Sequence, residues 1–267
     1  MSAVLQGRVV EGHRVTFGVE ESWGQGRTLF GGLLSGLAVQ AMRDVCGSQW
    51  PLRALQTSFI GPVVSGAFQV EVKLLRQGKN VRQVQADIVQ TDAQGQVNTA
   101  GVLLGVFGGG RASTLPRLMP ERVLAAKGVD GSLALPFVPG LTPAFTQHLD
   151  FRLAEGAYPF MGSTESSSRT YVRLKQSQGL DTQLLSVLLA DAGPTPVLGQ
   201  LKAPAPASSV SWALELRPVD HVDPEGHWRM DKDTVAVDEG YVNERTTLWT
   251  PDGQLVALGY QVVAVYA

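Results

Sequence analysis

The chain has one cysteine, Cys46, in 267 residues. That rules out an internal disulfide and a thiolate metal site, and Cys46, at the end of an apolar helix, reads as packing. Histidine is nearly as scarce: His13, His148, His221 and His227 show no H-x-x-x-H spacing, so no metal is expected. No apolar run reaches the roughly 18 residues of a membrane-spanning helix. The opening MSAVLQGRVVEGHR has no apolar segment of the kind a secretion signal carries. A soluble, cytoplasmic protein with no membrane span is the expectation. Charge of one sign is also missing. Lys and Arg total 22 against 24 Asp and Glu, a net charge of −2, which leaves no electrostatic footprint for nucleic acid or an anionic membrane.

Several catalytic motifs fail by one residue. In GLLSG, residues 32–36, the serine stands one place late for a nucleophile elbow. In WGQGRTL, Leu29 occupies the third glycine position of a dinucleotide fingerprint. GRTLFGG has P-loop glycine spacing, but Gly32 stands where the lysine belongs. No redox or nucleotide cofactor is implied.

What the chain does have is a composition 44% apolar and 17% charged, enough for a sizeable core, and a repeat of itself. LLSGLAVQAM (33–42) resembles LLSVLLADAG (184–193), and TSFIGPV (57–63) resembles ALELRPV (213–219). TDAQGQVNTAGVLLGVF (91–107) resembles TPDGQLVALGYQVVAVY (250–266). Three matches in the same order indicate two copies of one unit. The division is 1–107 and 144–267, with the Gly- and Pro-rich stretch 108–143 as connector.

Each copy reads as an extended start, a buried helix and a run of strands. In the first, alternation predicts strands over 14–22, 54–61, 67–77, 81–90 and 97–107, with a helix over 30–46. In the second, strands are expected over 145–153, 166–175, 209–217, 234–248 and 254–266. Val210, Trp212, Leu214 and Leu216 should share one strand face. With no strand–helix–strand alternation, the fold class is α+β, an antiparallel sheet wrapped around a helix in each unit.

Within this apolar frame three polar side chains stand out. Asp191 is the only charge between Leu184 and Leu198, at the end of a helix apolar on every side. Ser208 closes the loop APAPAS, and Gln261 is the only strongly polar residue in the closing strand. Each has an ordinary explanation: a loop acid, a loop serine, a satisfied core amide. Their conjunction in one repeat unit points to a site, because buried polar groups need partners. Gln40 occupies the first-copy position of Asp191, and an amide cannot act as a base, so one site per chain is expected. Gly31 and Gly32, opening the first helix, would admit a ligand close to the backbone or simply make a tight turn.

LFGGLLSGLAVQAM, LELRP and GQLVALGYQ together resemble the acyl-CoA thioesterase II group, tandem "double hot-dog" proteins, over nearly the whole chain. The resemblance implies hydrolysis of a medium- to long-chain acyl-CoA thioester to free acid and CoA. It places the water-positioning aspartate on Asp191, the hydroxyl on Ser208, nine residues before Arg217, and the amide on Gln261. Substrate contacts would involve Gly31 and Gly32, and the partner is acyl-CoA. The chain departs from the family pattern in carrying Val210-Ser211 where an Asp-His pair is usual, and serine for threonine. The strongest rival from another class is a non-catalytic acyl-CoA or lipid-binding protein using the same groove. A hydratase of this fold would want a helical histidine, and neither helix has one. Exposed sheet edges would favour homodimers or homotetramers.

Overall fold

The computed structural model describes residues 1–47, 50–219 and 222–267. A short helix α1 (Ser2–Gln6) precedes β1 (Val9–Glu11) and β2 (Arg14–Val19), then a two-strand ribbon of β3 (Gly24–Gln25) and β4 (Thr28–Leu29). Helix α2 (Gly31–Cys46) follows, then β5 (Leu52–Phe59), β6 (Gly66–Gln77), β7 (Val81–Thr91) and β8 (Val97–Gly108). The second half holds β9 (Leu133–Leu135), β10 (Leu149–Glu155), β11 (Ser167–Leu174) and helix α3 (Thr182–Ala190). It closes with β12 (Ala207–Leu216), β13 (Trp228–Asp238), β14 (Tyr241–Trp249) and β15 (Leu255–Val265).

Thirteen of these strands form one antiparallel sheet in the order β1-β2-β6-β7-β8-β5-β12-β15-β14-β13-β11-β10-β9. Read from the centre outward, the two halves run through equivalent strands. They meet where β5 pairs with β12, from Ser58 opposite Ser211 to Ala54 opposite Glu215. Three register shifts recur at matching places: at Arg53 and Val210, at Leu75 and Val235, and at Ala100 and Val256. Because a bulge re-aims the side chains around it, this match aligns the halves residue by residue. Leu52 corresponds to Ser209, Gly105 to Gln261, Val84 to Glu244, and Val72 to Lys232.

The helices explain their own composition. α2 lies against the sheet and against α3, so Leu33, Leu37, Val39 and Met42 are fully buried, each worth about 1.5–3 kcal/mol over exposure. α3 starts where the Asp181 carboxylate accepts from the backbone N–H of Gln183 at 3.0 Å and Leu184 at 3.1 Å, a side-chain cap. It stops at Asp191, just before Gly193 and Pro194.

Several expected boundaries shift. The run 234–248 is two strands, broken at Glu239-Gly240, both with positive φ (47° and 78°), a tight hairpin that the apolar pattern hid. Residues 144–148 form a 3-10 turn, so the strand begins at Leu149, and the first expected strand ends at Val19. Within 108–143, Leu133–Leu135 adds an outer strand beside β10. Among the described residues, no helix is long and apolar enough to cross a membrane.

Candidate functional site

Asp191 caps α3 at its C-terminal end, with its side chain against the first turn of α2. A Cβ built on Gly31 would stand 3.0 Å from Asp191 Oδ2, and one on Gly32 would stand 2.8 Å from the carbonyl oxygen of Leu188. Glycine at both positions lets the start of α2 close onto the end of α3. The backbone N–H of Gly32 acts on the Asp191 carboxylate and favours its charged form. From β15, Gln261 Nε2 donates to Asp191 Oδ1 at 2.9 Å and to Ser209 Oγ at 2.6 Å. Because the Ser209 oxygen accepts this bond, its own O–H remains a donor.

Protein packs densely around the Asp191 carboxylate while solvent still reaches part of the residue. Burial pushes its pKa up to about 6. The positive charge of Lys232, the Gln261 hydrogen bond and the Gly32 N–H pull it down, and the negative charge of Glu244 pushes it further up. Gln261 is 3% exposed, and its Oε1 has no hydrogen-bond partner among the described residues.

The serine hydrogen-bonded to Gln261 is Ser209, the neighbour of the expected Ser208. Counting back by twos from the buried Leu216, Leu214 and Trp212 would turn Val210 and Ser208 inward. The register shift between Ser209 and Ser211 inserts Val210 as an extra residue, opposite no partner, and reverses that parity. Val210 is accordingly 39% exposed, Ser208 is exposed, and the partly buried Ser209 meets Gln261. The bulge also removes Val210 from the face it was expected to share with Trp212.

Sequence reading missed two further side chains. Lys232 and Glu244 form a buried ion pair, Nζ to Oε1 at 2.6 Å, and both charges act on Asp191. Both stand next to other charges in sequence, in Asp231-Lys232-Asp233 and in Glu244-Arg245, so no apolar setting marked them. Among the described residues, no histidine is hydrogen-bonded to Asp191. His227 is mostly buried 3.2 Å from Asp150; His221 lies outside the described residues.

The counterpart position in the first half is built differently. Gln40, in place of Asp191, donates to Asp44 at 2.8 Å. Thr182 and Gln183 stand where the other helix has Gly31 and Gly32, and Gln183 Oε1 accepts from the Leu52 N–H and from Arg43. A cleft of about 560 Å³ opens here, lined in part by Gln40, Arg43, Trp50, Asp181, Gln183 and Arg217. The carboxylate on its wall, Asp181, is engaged in capping α3 and in an ion pair with Arg43 at 2.8 Å.

Family models match both halves: the acyl-CoA thioesterase N-terminal domain over residues 19–108 and the acyl-CoA thioesterase C-terminal domain over 126–265. The chain belongs to the acyl-CoA thioesterase family. No curated protein matches it in sequence. Among solved structures, it is similar to a hot dog fold protein of unknown function from Alicyclobacillus acidocaldarius, at 19% identity and TM-score 0.80 over 99% of this chain and 97% of that one. The tesB protein of Mycobacterium avium subs paratuberculosis gives 14% identity and TM-score 0.77 over 100% and 99%. Acyl-CoA thioesterase II TesB2 of Mycobacterium marinum gives 14% and 0.69 over 97% and 95%. At these identities the likeness speaks for the fold alone.

Proposed function

We propose that the protein is a tandem, double hot-dog acyl-CoA thioesterase that hydrolyses a medium- to long-chain acyl-CoA to free acid and CoA. The observation that carries this reading is Asp191, a carboxylate with pKa about 6 hydrogen-bonded to Gln261, which also holds Ser209. Membership of the thioesterase family supplies the substrate class.

A thioester carbonyl is electrophilic enough that hydrolysis needs a held water, a base and a stabilised oxyanion. In the proposed step the water oxygen bonds to the carbonyl carbon while one of its protons passes to Asp191. A base near neutral suits that transfer. Ser209 and Gln261 fix the carboxylate and offer a polar wall for the water, which supplies the orientation. The Gly32 N–H acts on the Asp191 carboxylate. The N–H groups of Gly31 and Leu33, at helix positions with no acceptor within the helix, are the donors available to the developing oxyanion. Collapse then breaks the C–S bond, and the departing sulfur takes the proton from Asp191. One water is consumed, and one acid and one thiol are formed.

Only the ionised Asp191 accepts the proton, so kcat/KM should rise with pH through about 6 and level off above it. The test is thiol release across acyl-CoA lengths from acetyl to palmitoyl, for the native protein and Asp191→Asn. Turnover at medium to long lengths that collapses in the variant supports the reading. Native turnover in Asp191→Asn would overturn the site, and acyl-CoA binding without thiol release would make the protein a carrier. We further read it as a cytoplasmic protein whose edge strands β1 and β9 pair copies into homodimers or homotetramers; sedimentation checks this.

A further inference from the structure

Two charges inside a sheet protein are costly unless something needs them. The Lys232 side chain is 2% exposed and that of Glu244 is 0%. An apolar pair of similar volume is often as stable or more so. This molecule contains that alternative. At the equivalent positions of the first half, fixed by the shared bulges, stand Val72 and Val84, both buried. The same backbone therefore closes without the ion pair.

Where the pair does occur, it adjoins the site. Glu244 lies directly across β14–β15 from Gln261. Lys232 reaches the loop just beyond Asp191, its Cε 3.8 Å from where a Cβ on Gly193 would be. Among the described residues, the charges that act most strongly on Asp191 are Lys232 on β13 and Glu244 on β14. β15 contributes the neutral amide of Gln261, β12 the hydroxyl of Ser209, and α2 the N–H of Gly32.

We propose that Lys232 and Glu244 are positioning residues of the thioesterase site, a buried charge pair whose opposed fields set the working protonation of Asp191. The ammonium favours the carboxylate that accepts the water's proton. The neighbouring carboxylate offsets it, so that Asp191 does not become too weak a base. The inference rests on the reading of Asp191 as the base.

The test uses the full chain as the native protein, Lys232→Met, Glu244→Gln, and the double variant Lys232→Val/Glu244→Val, which installs the first half's own pair. Two quantities are read: the midpoint of the kcat/KM–pH profile, and the midpoint of Asp191 titration followed by carboxyl-carbon NMR without substrate. Lys232→Met should move both up by about one pH unit or more and Glu244→Gln should move both down. The double variant should fall between the native protein and Lys232→Met, because the ammonium acts more strongly than the carboxylate. Equal midpoints in all folded variants, whatever their turnover, overturn the inference and leave Asp191 as base. An NMR midpoint that tracks the charges while the kinetic midpoint stays elsewhere overturns the base reading instead. Should the single variants fail to fold, the double variant against the native protein decides on the same midpoints.

Discussion

The two halves of this protein put opposite chemistry on one backbone. At four equivalent sheet positions the first half has Leu52, Gly105, Val84 and Val72, and the second has Ser209, Gln261, Glu244 and Lys232. At the helix, Gln40 faces Asp44 while Asp191 faces Gln261. The apolar version shows what the fold requires for packing alone. Whatever the polar version adds, it adds at the cost of desolvation. Across the same contrast, Gly31-Gly32 lets one helix start close onto Asp191 and Leu188, whereas Gln183 ties the other helix start to Leu52 and Arg43.

Mirrored substitutions can break or sharpen this contrast. The largest effect is expected at the acid: Asp191→Asn should lower kcat/KM by about 10²–10⁴, while Gln40→Asn stays within about twofold, both read by thiol release. Next comes the helix contact. Gly32→Ala would push a methyl onto Phe30 and the Leu188 carbonyl, costing about 1–3 kcal/mol of stability by overpacking, measurable by denaturant unfolding. Ser209→Ala, which removes an acceptor of Gln261, should cost about tenfold in kcat/KM, as expected for one hydrogen bond of about 1.4 kcal/mol, with Ser208→Ala silent. The smallest effect is on stability against pH. Folded Asp191 holds its proton to about 6 while the unfolded group releases it near 3.8. Native stability therefore falls as pH rises between those values, and Asp191→Asn should flatten that window in a pH series of unfolding curves.

Much of the architecture was legible because it rests on local periodicity. The two apolar helices, most strands and the order of the repeat follow from spacing alone. Asp191 and Gln261 were legible because each is a lone polar group in an apolar run, and the structure joins them at 2.9 Å. Ser209 was not, since its inward turn depends on a bulge at Val210 created by pairing with β15. The repeat match of 57–63 with 213–219 slips by one residue for a related reason: burial aligns Thr57 with Leu214, and only the paired strands reveal it. The Glu239-Gly240 hairpin escaped because apolar residues continue on both sides of it.

The amino-acid order alone determined that this is a duplicated antiparallel α+β chain in which one half carries an acid, Asp191, where the other has Gln40. Periodicity and composition act over a few residues, and that is the range at which they could be read. Tertiary structure decided which serine turns inward, how the helix ends close on each other, and that Lys232 and Glu244 sit beside Asp191. Those outcomes depend on register between strands far apart in the chain, where a single extra residue reverses which face a side chain occupies.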